Sequence, residues 1–138
     1  MSILLFVTSL FGKAFFVEKG RDPIGIACLC YGWMAALEGN LAWFAHPFLA
    51  GAWTFSTFGR SSEDRKLSAF LATCGLAFAL SFLAYSNVRF PGWLNSPPRT
   101  LVISGYGTYW IWLASIATMA IGPAAIKFAK LRRSAAIQ

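Results

Sequence analysis

The sequence predicts an all-α integral membrane protein, a bundle of four to five transmembrane helices with its carboxyl terminus in the cytoplasm. Three observations predict this. Of 138 residues, 57% are hydrophobic and only 12% charged, where a soluble domain carries about 45–50% apolar and about 25% charged residues. The apolar residues form several long blocks, more than one small water-soluble core can bury. The net charge of +7 is concentrated in the gaps between those blocks, the positive-inside pattern of membrane proteins. One domain is expected over 1–138, with spans at 3–17, 24–38, 41–59, 67–86 and 101–126.

The first span, Ile3 to Val17, is interrupted by Lys13. At about 1.5 Å per residue it falls short of a ~30 Å hydrocarbon core, so Lys13 is expected to snorkel to one interface. Its apolar start resembles that of a signal peptide, but no basic region precedes it and no small-x-small site follows, so it is read as retained. The turn from Glu18 to Pro23 carries two acids and two bases, which cancel and leave the topology open.

The next apolar block, Ile24 to Gly59, is too long for one crossing and barely long enough for two. Gly39 and Asn40 are turn formers, and Pro47 removes a backbone donor and disfavours helix at His46. Two readings follow. A tight hairpin of two short crossings is preferred; the other is one crossing plus a re-entrant half-helix, allowed only where protein or water covers the loosened backbone.

After the basic gap Arg60 to Lys66 comes an uncharged span, then a loop from Ser86 to Thr100 containing Pro91, Gly92, Asn95, Pro97 and Pro98. The final span runs from Leu101 to about Ile126. Arg60, Arg65 and Lys66 share a side with Lys127, Lys130, Arg132 and Arg133, against Arg89 and Arg99 opposite. That places the tail in the cytoplasm. The amino terminus is then outside with five crossings and inside with four.

Small residues let membrane helices approach, because lipid supplies no hydrophobic drive for association. Ala69, Thr73, Ala77 and Ser81 recur along one span beside a bulky stripe of Phe70, Cys74, Phe78 and Phe82, and Ala114, Thr118 and Gly122 repeat the device in the last. These stripes serve either packing within the chain or a face kept for another subunit. Tyr106, Tyr109, Trp110 and Trp112, with Trp93 before them, read either as an aromatic belt at the headgroups or as the lining of a lipid or quinone site.

Glu38 is the acid embedded in an apolar block, and mid-depth placement costs roughly 2.5–3.5 kcal/mol on insertion scales. It sits at a wet turn, or joins Asn40 and His46 in a polar pocket that holds a cation or relays a proton, or pairs with Lys13. Cys28, Cys30 and Cys74 lack zinc-site spacing, and His46 is the sole histidine, so no metal or cofactor is expected. Phosphate loops, nucleophile elbows and paired intramembrane aspartates are missing from the sequence, as is a basic patch interleaved with aromatics. No enzyme activity and no nucleic-acid partner are expected.

Leu41 to Leu49 reads L-A-W-F-A-H-P-F-L, and Ser104 to Ser115 reads S-G-Y-G-T-Y-W-I-W-L-A-S. With Tyr31-Gly32-Trp33 and the basic gap before Leu67, these resemble a group of small polytopic bacterial inner-membrane proteins. In that group an aromatic-Ala-Asn-Pro turn precedes one span, and a Gly-Tyr-Gly stretch followed by Tyr-Trp-x-Trp-Leu-x-Ser opens the last. His46 stands where the group favours Asn. The resemblance implies a multi-pass location in the inner membrane and supplies no activity.

The expected function is therefore non-enzymatic: an accessory subunit of a larger membrane complex or an immunity-type protector, with the bilayer and another membrane subunit, or itself, as partners. One alternative is a small oligomeric ion or proton channel or transporter using Glu38, Asn40 and His46. The other is a lipid or quinone binder using the aromatic cluster.

Overall fold

A computed structural model describes residues 1–18, 20–90 and 99–135, with side chains at all of these except 90, 99 and 123–135. Of the loop expected from Ser86 to Thr100, residues 91–98 with Trp93 lie outside the described residues, as do the basic side chains of the tail. The described residues are mostly helical, with five α-helices among them: α1 Ser2–Leu10, α2 Gly25–Leu37, α3 Ala45–Phe58, α4 Ser62–Ser81 and α5 Tyr109–Ala135. A 3-10 turn, Leu41–Phe44, leads into α3, and another, Phe82–Ala84, extends α4. Among the described residues one helix, Ser62–Ala84, is long and apolar enough to cross a membrane by length and composition.

Small residues form the interior of the bundle. Ala45, Leu49 and Ala52 of α3 face Ala72 and Ala79 of α4, all fully buried. A Cβ on Gly75 would stand 3.3 Å from the Phe48 side chain, 3.4 Å from the Ala45 carbonyl and 3.7 Å from Ile116. Three helices therefore meet at that glycine. Side chains tie them: Ser68 Oγ donates to the Ala52 carbonyl at 2.8 Å, and Tyr109 Oη to the Ala79 carbonyl at 2.8 Å. These pairings make α3 and α5 both antiparallel to α4, so the Arg60–Lys66 segment and the end of α5 share one end of the bundle.

The helix α1 covers only part of this height. Ser2 Oγ donates to the Ser115 carbonyl at 2.7 Å, while Ser9 accepts from Thr108 Oγ1 at 2.9 Å. It thus lies antiparallel along the first turns of α5. The expected helix over 3–17 stops at Leu10 because Phe15–Val17 is a strand, β1.

The same cause shortens the last span. Residues 101–106 are strand and not helix: β2, Asn87–Phe90, and β3, Arg99–Tyr106, join β1 in an antiparallel sheet of order β1-β3-β2. Phe15 pairs with Tyr106 and Asn87 with Val102. The all-α expectation is corrected accordingly. Val102, Ile103 and Val17 are β-branched residues suited to a pleated surface, and their hydropathy hid them inside the apolar blocks.

The helix α2 closes the same end. Its first amide, Gly25 N–H, donates to the Gly12 carbonyl at 2.9 Å, and beyond its last turn the Gly39 carbonyl accepts from Tyr85 Oη at 2.7 Å. Its neighbours are α1, the turn into α3, and β2. The expected span at 24–38 therefore lies across the bundle end, forming a cap with the sheet. Gly25 is required there, since a side chain would overlap the Ser9 carbonyl.

The helix boundaries have local causes. Gly39 at φ +94° ends α2, with Asn40 N–H bonded to the Ala35 carbonyl and Gly39 N–H to that of Ala36, a Schellman pattern. The chain does turn at Gly39 and Asn40, as the hairpin reading expected. Ser61 and Asp64 form a reciprocal capping box, which starts α4 at Ser62, five residues ahead of the apolar stretch that defined the expected span.

The small-residue stripes lie beside the buried faces and not on them. The buried line on α4 is Ser68, Ala72, Gly75 and Ala79, one position away, while Thr73 and Ala77 are exposed and Ala69 and Ser81 half-buried. On α5, Ser115 and Ile116 are buried, Ala114 is exposed, Thr118 is half-buried, and a Cβ on Gly122 would meet nothing within 4 Å. Packing within the chain is corrected to the neighbouring face. Of the bulky stripe, Phe70 is exposed, Cys74 and Phe78 are half-buried and Phe82 is buried.

Candidate functional site

Between cap and bundle lies a cavity of about 100 Å³. Its wall is built by α2, the turn into α3, the start of α5 and the top of α4, and it includes Cys28, Trp43, His46, Phe82, Tyr109 and Trp112. No charged side chain lines it.

His46 is placed by the proline after it. Pro47 has no N–H to give the carbonyl four residues back, that of Trp43. The His46 ring takes this oxygen through Nδ1 at 2.9 Å. A carbonyl only accepts, so Nδ1 carries the proton and Nε2 presents a lone pair. Among the described residues Nε2 has no hydrogen-bond partner. The imidazole stacks on Trp112, ring centroids 5.1 Å apart at 28°.

Trp43 is held from the other side. Its Nε1 donates to the Leu29 carbonyl at 2.9 Å. Gly32 makes room, because a Cβ there would lie 2.8 Å from Trp43 Cδ1. The Y-G-W and W-F-A-H-P stretches of the sequence thus form one contact. Tyr109 is 4% exposed and has its hydroxyl satisfied by Ala79. Trp112 differs: its Nε1–H is buried without an acceptor among the described residues.

The aromatic cluster divides. Tyr109 and Trp112 turn inward to the cavity, Tyr106 is half-buried, and Trp110 is 51% exposed. A uniform belt therefore does not describe them. Tyr106 packs 5.2 Å from Tyr109 and 5.9 Å from Trp110, centroid to centroid.

The polar trio divides too. Asn40 and His46 line the cavity, and Asn40 Oδ1 accepts from Ala42 N–H at 3.2 Å. Glu38 is outside it, with Oε2 3.8 Å from Arg89 Nε. The Glu38–Lys13 pair, one of three readings of Glu38, is not formed, because Lys13 Nζ is 2.9 Å from Asp22 Oδ2. An ion path through Glu38, Asn40 and His46 is thereby left without its carboxylate.

Chemically, the site offers a chiefly apolar chamber beside which the Trp112 Nε1–H donor and the His46 Nε2 acceptor stand unpaired among the described residues. Among the described residues no three His, Cys, Asp or Glu side chains come together as a metal site. Sequence reasoning missed Trp43, Cys28 and Phe82 as wall residues: the first stood only within the L-A-W-F-A-H-P-F-L stretch, the others as a lone cysteine and part of a bulky stripe, and no spacing joins the three. Compared with protein families, curated proteins and solved structures, the chain gives no match.

Proposed function

We propose that the chain is a multi-pass protein of the bacterial inner membrane that acts by association, as an accessory subunit of a membrane complex or a protector against a membrane-directed toxin. The membrane setting is supported by an inverted distribution of side chains. Leu4 (72% exposed), Phe58 (78%) and Phe70 (63%) face outward, while alanines and serines share the interior with a few large side chains such as Leu49 and Ile116. In water this arrangement forfeits hydrophobic stabilisation; in lipid the small interior faces bring backbones together and the serines bond across helices. On this reading α3, α4 and α5 cross the bilayer, the basic end is cytoplasmic, and α2 lies in the opposite interface with Ile24, Ile26 and Leu37 exposed.

One observation carries association over chemistry. Thr73 and Ala77 on α4 and Ala114 on α5 are exposed small residues, and half-buried Gly122 has room for a Cβ, where lipid alone would suit bulky side chains. The test is native mass spectrometry of the protein extracted gently from its host membrane. A stoichiometric foreign membrane subunit is expected, and Ala77→Leu combined with Gly122→Leu is expected to abolish it without lowering the abundance of the chain. Recovery of monomers or self-associated chains alone overturns the reading.

A further inference from the structure

From the cavity under the cap we infer a binding site for a neutral, apolar molecule that carries one carbonyl or hydroxyl oxygen. This is independent of any protein partner. The wall bears no charge, so an ionic ligand would be desolvated without compensation. Its surface is chiefly aromatic and aliphatic, which suits a flat ring or a chain end. Two of its residues, the stacked pair His46 and Trp112, carry polar atoms that complement each other. Trp112 Nε1–H is a buried donor lacking an acceptor among the described residues, and such a group is costly unless something satisfies it. His46, stacked on Trp112, presents Nε2 as an acceptor because Nδ1 is committed to the Trp43 carbonyl.

An oxygen on the ligand accepts from Trp112 Nε1–H, and a hydroxyl in addition donates to His46 Nε2. Three further polar atoms of the wall residues are already engaged: Tyr109 Oη with Ala79, Thr108 Oγ1 with Ser9, and Asn40 Oδ1 with Ala42. Trp112 and His46 are thus the recognition pair. A space of about 100 Å³ holds a ring or a few carbons, comparable with the ~150 Å³ engineered cavity that takes up benzene. The rest of a larger ligand then extends out of the chamber. The oxygen has two membrane sources, the head of a quinone or the ester of an acyl lipid.

The full-length protein in lipid nanodiscs is titrated with decylubiquinone and, separately, with monoolein, reading the rise in melting temperature and the change in tryptophan fluorescence. A saturable response to one probe supports the site and assigns the source of the oxygen. Trp112→Phe keeps the ring and removes the donor. It is expected to weaken the responding probe about 3- to 10-fold while leaving the empty protein as stable as the parent or more so. Cys28→Phe fills the chamber and is expected to abolish the response. Should Trp112→Phe fail to fold, Cys28→Phe alone decides. Absence of a saturable response to both probes, or unchanged affinity in a folded variant, overturns the inference.

Discussion

At the scale of single residues, the lock on the first strand depends on one carboxylate. Asp22 Oδ2 accepts from Lys13 Nζ at 2.9 Å, and Oδ1 accepts from Val17 N–H at 3.1 Å. The hydrogen bond from Lys13, and then that from the Val17 amide, hold the carboxyl below its ordinary value of 3.8. Folding therefore favours the ionised form. The stabilisation is complete above the ordinary value, fades as pH falls toward the lower folded value, and is absent below it. Asp22→Asn should melt slightly below the parent at neutral pH, with the gap closing on acidification. A gap that stays constant through the acid range would remove this role. Little of this was legible beforehand, since the turn presented four charges whose pairing only the fold could choose. His46 was legible in part: its place before Pro47 marked a loosened backbone, but its ring was free to face an ion path until the Trp43 carbonyl claimed Nδ1.

At the scale of elements, periodicity located the helices better than their faces. On α4 the sequence offers two small-residue lines one position apart, and hydropathy does not rank them. Packing chose Ser68, Ala72, Gly75 and Ala79, the line on which a Cβ at 75 would already press on Phe48 Cβ at 3.3 Å. A paired substitution tests the assignment. Ala72 is fully buried, so Ala72→Leu overpacks the α3–α4 contact and is expected to cost about 1–3 kcal/mol. Thr73→Leu points outward and is expected to stay within about 0.5 kcal/mol of the parent. Thermal unfolding of both variants in detergent reads the difference, and equal losses would exchange the faces. The strands were hidden for a related reason. A run such as Leu101-Val102-Ile103 is as apolar as a transmembrane segment, and only its β-branching and the glycines at 105 and 107 distinguish it.

At the scale of the whole molecule, length arithmetic counted apolar blocks as crossings, and the cap shows why that overcounts. A helix of 13 residues is about 20 Å long, short of a ~30 Å core but long enough to lie across the bundle end, whereas the 3-10 turn Leu41–Phe44 continues into α3 and brings that pair to about 29 Å. Its two ends reach Gly12 and Tyr85, which belong to the same end of the molecule. This gives a prediction that block counting opposes. If α2 lies across that end, the turn before it and the turn after it share one side of the membrane; if it crosses, they do not. In a variant with Cys28, Cys30 and Cys74 replaced by alanine, single cysteines at Arg21, Glu38 and Ser62 are exposed to a membrane-impermeant maleimide in intact cells. Arg21→Cys and Glu38→Cys should both be labelled, and Ser62→Cys, at the basic end, should react only after the membrane is opened. Labelling of Arg21→Cys and Glu38→Cys from opposite sides would make α2 a crossing and return the bundle to the larger count. Labelling of Ser62→Cys in intact cells would instead reverse the orientation, because the basic end would then face outward.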